Sequence, residues 1–252
     1  MNDEIIKDLL IESVGYSVRY LAELNRRSVY PSAEALARLS DIDEPLPETG
    51  MDASQIINFL NRVGAPATVA SAGPRYFGFV TGGTLPVALA ANWMAGAWDQ
   101  NAFSTTSSPI SVALENLVIT WLIEMFGLPE GSGGVLVTGA TMANFTGLAA
   151  ARHAVLDRVG WDVEANGLHG GPPVTVLAGE EAHASLFKAL GYLGLGRSNV
   201  VRLDVDGQGR IRPGALPKIV GPTILCLQAG NVNTGAFDQA TQLIPRARAA
   251  GA

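Results

Sequence analysis

The sequence predicts an α/β protein in which a largely parallel sheet is wrapped by helices. Short apolar runs at 134–137, 174–178, 199–203 and 223–228 alternate with helical patterns at 141–158, 183–193 and 238–250. Strands that alternate with helices imply parallel pairing. The chain has 252 residues and is 48% hydrophobic, enough to bury one large core or two modest ones. Only 16% of the residues are charged and 29 are glycine, the balance of an α/β enzyme rather than of a disordered chain.

Ahead of the alternating units, residues 3–28 read as an amphipathic helix. DIDEPLPETG (41–50) is a polar, Pro-rich loop, and 52–63 reads as a second helix. GPRYFGFVTGGTLP (73–86) mixes aromatics with Gly and Pro and reads as a shaped loop, with helix signals resuming from Pro86 to Ala97. Ser108 and Pro109 make an N-cap and first-turn pair. From there Ile110, Leu114, Leu117, Val118, Trp121, Leu122 and Met125 mark one helix face that stops at Gly127. The final helix has Asp238 as its expected cap and Gly251 as its stop. A βα series calls next for a strand, so the sheet reads as incomplete at its C-terminal end.

Composition excludes several classes. Net charge is −6 with a pI near 5.1 and no basic patch, so nucleic acid is not an expected partner. The opening MNDEIIKDLL is acidic and amphipathic, unlike a signal peptide. No apolar run is long enough for a membrane span; the best, Leu85 to Ala97, is short and carries Asn92. The single cysteine, Cys226, lies in the apolar run ILCLQ and reads as a buried strand residue. It leaves no internal disulfide, no cysteine–histidine cluster has zinc spacing, and a reducing cytoplasm fits.

Three stretches carry candidate chemistry. In GVLVTGATMANF, a strand, a small-residue turn and a helix start form an anion site. The free N–H groups and the helix dipole favour a phosphate, Gly139 and Ala140 allow close approach, and Thr141 adds a hydroxyl. A tight strand–helix turn with no ligand would leave the same pattern. No Walker lysine or dinucleotide fingerprint accompanies it. In GEEAHASLFKAL, His183 follows a strand and opens a helix, the carboxyl edge where ligands of open α/β sheets bind. Its imidazole could stack on a flat ring or move protons, or simply be solvated. Glu180 and Glu181 read as solvated helix-entry charge. In LQAGNVNTGAFDQ, Asn231, Asn233 and Thr234 crowd the turn after a strand, a pattern that turn chemistry alone also produces. Jointly the three favour a phosphate-bearing aromatic cofactor. Asp206 to Gly209 is a turn without chemistry. Tyr76, Phe77 and Phe79 are core by default, and their Gly-rich setting also suits a pocket wall or subunit contact.

RYFGFVTGGTLP, SSPISVALENLVITWLIEMFGLP, GVLVTGATMANFTGLAAAR, EEAHASLFKALGYLGLG and GNVNTGAFDQ, in this order, resemble the group II pyridoxal-phosphate-dependent decarboxylases, the aromatic amino acid and glutamate decarboxylase type. The resemblance runs from about Gly73 to the end. It implies an aspartate-aminotransferase-like large domain (fold type I, with a mixed, mostly parallel sheet) at 73–252, preceded by a helical segment at 1–72. It implies pyridoxal 5'-phosphate as cofactor, an amino acid as substrate, a homodimer and carbon–carbon lyase activity; an aminotransferase-type enzyme of similar sequence is the alternative. Gly139, Ala140 and Thr141 would hold the phosphate, and His183 would stack on the pyridine ring. Asn231 and Asn233 would lie near ring or phosphate, and Tyr76, Phe77 and Phe103 would shape the substrate pocket. Gly139-Ala140 stands where many members have Gly-Gly or Ser-Ala, and Val232 where many carry Thr. The family also uses an Asp against the pyridine nitrogen and a Schiff-base Lys. The three lysines here, Lys7, Lys188 and Lys218, match no such place, so the 252 residues are expected to be inactive alone.

Overall fold

A computed structural model describes residues 3–252, so the first two residues of the expected N-terminal segment lie outside it. The chain divides into two compact units, Met1–Asn101 and Ala102–Ala252.

The first unit is helical. Helix α1 spans Asp3–Glu23, α2 Ala33–Ala37, α3 Ala53–Phe59 and α4 Pro86–Trp98. The helix expected over 3–28 stops at Glu23, and the N–H groups of Arg26 and Arg27 fold back onto its carbonyl as turns. Asp52 caps α3, accepting from the N–H of Ser54 (3.0 Å) and Gln55 (3.2 Å). The helix then continues through a π-helical turn, Leu60–Gly64. Leu24, Val63 and Ala70 form its small buried centre. Around it, Arg27 donates to the Ala65 carbonyl (2.8 Å) and lies over the Tyr20 ring.

The second unit holds the sheet. Its elements are α5 (Pro109–Met125), α6 (Ala140–Asp157), α7 (Val163–Asn166), β1 (Thr175–Gly179), α8 (Ala184–Tyr192), β2 (Val201–Leu203), β3 (Thr223–Cys226) and α9 (Ala240–Ala249). The sheet order is β2-β1-β3 and both pairings are parallel, with Leu177 opposite Val201 on one side and Leu225 on the other. Side chains alternate across a strand, and this alternation builds two cores. Val176 and Ile224 face Leu148, Leu156 and Leu190 of α6 and α8. Leu177 and Leu203 face Leu243 of α9, together with Ile211. The result is the helix–sheet–helix layering expected of parallel strands.

Three expectations need correction. The run 134–137 is not a strand. Val135 and Leu136 are more than half exposed, no β-ladder forms there among the described residues, and the Leu136 N–H donates to the Glu115 carboxylate (3.1 Å). An apolar run becomes a strand only when a neighbour takes up its backbone groups. The three strands pair in parallel, in keeping with the mostly parallel sheet expected, and among the described residues antiparallel pairing is confined to two isolated bridges, Val205 with Ile211 and Ala229 with Phe237. Ser108 precedes α5 as expected, yet its hydroxyl donates to Ser111 Oγ (2.7 Å) and caps no backbone N–H. Asp238 does not cap α9. It lies one residue too early, and its carboxylate is taken by the N–H groups of Ile211 (2.7 Å) and Gln228 (2.6 Å). By contrast, Gly127 (φ +59°) ends α5 in the left-handed conformation that favours glycine, with Leu128 N–H bonding back to Ile123.

Candidate functional site

The start of α6 is open. Gly139 precedes it with extended backbone and offers no side-chain cap. The N–H groups of Ala140, Thr141 and Met142 have no intrahelical acceptor by geometry. Ala143 is the first to bond back, to the Gly139 carbonyl (3.0 Å). A Cβ added at Gly139 would meet nothing within 4 Å, so the approach is clear. Among the described residues the Thr141 hydroxyl has no partner, and its side chain is half-buried. Free donors, a positive helix end and a hydroxyl beside unobstructed space fit a phosphate.

His183 is the N-cap of α8, directly past the carboxyl end of β1. Its Nδ1 accepts from the Ser185 N–H (3.2 Å) and lies 2.8 Å from Ser185 Oγ. Ser185 is buried, and its Oγ accepts from Asn144 Nδ2 (2.9 Å), one turn into α6. The imidazole and the open helix start are therefore joined by side-chain bonds. The ring itself is exposed, and a face left open at the sheet's carboxyl edge fits a flat heteroaromatic group.

Beyond β3, Asn231 is buried and fully engaged. Its Oδ1 accepts from the N–H groups of Asn233 (2.9 Å) and Thr234 (3.3 Å), and its Nδ2 donates to Glu181 Oε2 (2.8 Å). Glu181 is thus not simply solvated charge, because it ties the end of β1 to the turn after β3. Gly209 (φ +76°) closes the far side, and a Cβ there would collide with both Asn231 Nδ2 and Glu181 Oε2. Asn233 is exposed.

Side-chain bonds link His183 to α6 through Ser185 and Asn144, and link Asn231 to Glu181; Asn144, Ser185 and Glu181 were not among the expected site residues. The first two carried a legible signal: a His-x-Ser cap pattern, and a lone amide one turn past an open helix start. Phe103 is 79% exposed in the second unit. In the first unit Phe77 is 93% exposed, while the Tyr76 ring folds beside Gly78. A cavity of about 440 Å³ in that unit, lined by Tyr16, Arg19, Tyr20 and Arg27 among others, contains none of the expected site residues. Burial lifts the Cys226 thiol to about 11, which keeps it an inert core residue. Among the described residues no cluster of three or more His, Cys, Asp or Glu could hold a metal, and no helix is long and apolar enough to cross a membrane.

Fold and site together describe an α/β protein with polar side chains gathered at the carboxyl ends of parallel strands. Residues 36–249 match the pyridoxal-dependent decarboxylase conserved domain, and the chain belongs to that family, whose cofactor is pyridoxal phosphate. It is similar to aromatic-L-amino-acid decarboxylase of Bacillus atrophaeus, at 26% identity over 96% of this chain and 50% of that one. It is also similar to human acidic amino acid decarboxylase GADL1, at 30% identity over 66% of this chain and 32% of the relative. The chain spans about half, or less, of the length of these relatives. The crystal structure of mouse CSAD superposes with a TM-score of 0.86 at 24% identity, covering 98% of this chain and 53% of that chain. That of Oryza sativa TDC with PLP and tryptamine gives 0.84 at 23%, covering 100% and 54%. The fold is the α/β fold of these proteins, the aspartate-aminotransferase type expected from the sequence.

Proposed function

We propose that this chain is the cofactor-cradling portion of a pyridoxal-phosphate-dependent amino acid decarboxylase. The observation that carries the reading is the junction of the open α6 start with His183 through Asn144 and Ser185, within a chain of this family. Gly139, Ala140 and Thr141 bind the phosphate through backbone N–H groups and a hydroxyl, and His183 lays its ring against the pyridine. Asn231 shapes the adjoining turn and presents Asn233. Pyridoxal phosphate, when bound, supplies an electron sink for the charge left on the substrate carbon when carbon dioxide departs. The substrate is an amino acid, the class named for the relatives. The cofactor-binding portion begins near residue 73.

Turnover by these 252 residues alone is not expected. Lys188 lies on α8 with its ammonium over the Tyr192 ring, Lys218 in the loop before β3 and Lys7 on α1, and none follows a His as the family's Schiff-base Lys usually does. Homodimerisation is supported by the apolar stripe that α5 exposes, with Leu114 at 50% and Trp121 at 56%. The same stripe favours a second reading, a non-catalytic relative that acts through a partner chain. A cytoplasmic setting rests on the lone, half-buried free cysteine.

The test is titration of the 252-residue chain with pyridoxal phosphate, followed by cofactor absorbance. Saturable binding is expected, weakened about fivefold in Thr141→Ala by loss of one hydrogen bond. Absence of saturable binding would sink the cofactor reading. Carbon dioxide release from amino acids by the unextended chain would refute its inactivity.

A further inference from the structure

Two donors converge on one nitrogen of His183. The Ser185 N–H points at Nδ1 from 3.2 Å, and a backbone hydrogen cannot rotate away. Nδ1 is therefore an acceptor, and the neutral ring carries its proton on Nε2. Ser185 Oγ lies 2.8 Å from the same Nδ1 and accepts from Asn144 Nδ2 at 2.9 Å, which leaves the serine hydrogen to point at the imidazole. Donation runs one way, from Asn144 to Ser185 to His183. Ser185 is only 9% exposed and Asn144 is half-buried, so the middle of the chain is sheltered from water that could replace it.

We propose that Asn144 and Ser185 are positioning residues that lock His183 in its Nε2–H tautomer and set the plane of its ring. Both ends of the relay sit on helices of the second unit packed around one buried cluster, which includes Leu148 of α6 and Ala189 and Leu190 of α8. The imidazole thus inherits the rigidity of the helix pair rather than that of its loop. With Nδ1 occupied by two donors, the ring offers outward only its faces and the Nε2–H group. It is arranged to stack and to donate, and has no free lone pair with which to accept a proton from a ligand. The role toward a bound ring rests on the cofactor reading above; the tautomer itself does not.

The experiment uses the whole 252-residue chain, labelled with ¹⁵N. Two-bond ¹H–¹⁵N spectra of the imidazoles are recorded above their titration range, and His183 is assigned by its loss in His183→Gln. The Nε2–H pattern is expected in the unaltered protein. Asn144→Asp is nearly isosteric but replaces the donor with an acceptor, so the Ser185 hydroxyl turns toward the carboxylate and Nδ1 loses one of its two donors. The Nδ1–H tautomer should then rise about fivefold relative to Nε2–H. Ser185→Ala should act in the same direction, and Ser185→Thr, which keeps the hydroxyl, should restore the original pattern. Unchanged backbone amide spectra show that the fold is intact. An Nδ1–H ring in the unaltered protein, or a tautomer ratio indifferent to both Asn144→Asp and Ser185→Ala, overturns the relay. If the tautomer shifts as expected while pyridoxal phosphate fails to bind the unaltered chain, the relay stands and the cofactor reading falls.

Discussion

Replacing Asp238 by Ala removes an anionic clamp and should destabilise the second unit by about 3 kcal/mol. The carboxylate takes one bond from the Ile211 N–H at 2.7 Å and one from the Gln228 N–H at 2.6 Å, and the Asp238 N–H returns a bond to the Gln228 carbonyl at 3.0 Å. Hydrogen bonds to an ionised group contribute about 1.5–3 kcal/mol each, so two of them bound the loss at about 3–6 kcal/mol. The low end applies because Asp238 and Gln228 are only half-buried and water can re-enter. Ile211 is 1% exposed, so its N–H is the one left without a partner. Asp238→Asn keeps one acceptor but turns an NH₂ toward the second N–H, and should lose about half as much. Urea unfolding followed by circular dichroism measures both. With a denaturant slope of about 3 kcal/mol per M, the alanine midpoint should fall by about 1 M. A loss below about 0.5 kcal/mol for the alanine variant, or equal losses for both, would refute the clamp.

Three further outcomes are expected. The Arg210 side chain, together with the N–H groups of Gln208 and Arg210, lowers the Asp206 carboxyl from 3.8 to about 2. Its stabilising contribution is therefore complete above pH 3.8 and is lost as pH falls toward 2; stability measured across that window should lose this slope in Asp206→Asn, and an unchanged slope would contradict the assignment. Gly209→Ala places a Cβ at φ +76° against Asn231 and Glu181 and should cost about 1–3 kcal/mol, checked by thermal unfolding beside the harmless control Gly207→Ala. Burial lifts the Cys226 thiol to about 11, so alkylation at pH 8 should be slow in the folded protein and rapid in urea; fast labelling of folded protein would show that β3 opens.

The division between what was legible and what was not follows the range of the forces involved. Helices α4 and α6 and strand β1 stand within a residue or two of their expected places, because capping glycines, prolines and apolar periodicity act over one or two turns of chain. The glycine stop at Gly127, the turn at Asp206 and the placement of His183 at the mouth of β1 were likewise local facts. The sequence by itself therefore determined the α/β class, the alternation of helices with β1, β2 and β3, and the family whose motifs they carry. It could not decide where a backbone or side-chain group would find its partner. Residues 134–137 have strand composition but form no ladder, and Asp238 prefers two distant N–H groups to the helix beside it. The same limit hid the bonds that assemble the site: Asn144 meets Ser185 across 41 residues, and Asn231 meets Glu181 across 50. Such bonds depend on which helix packs on which face of the sheet. Tertiary burial decides that, by leaving a polar group no water and only one neighbour to bond.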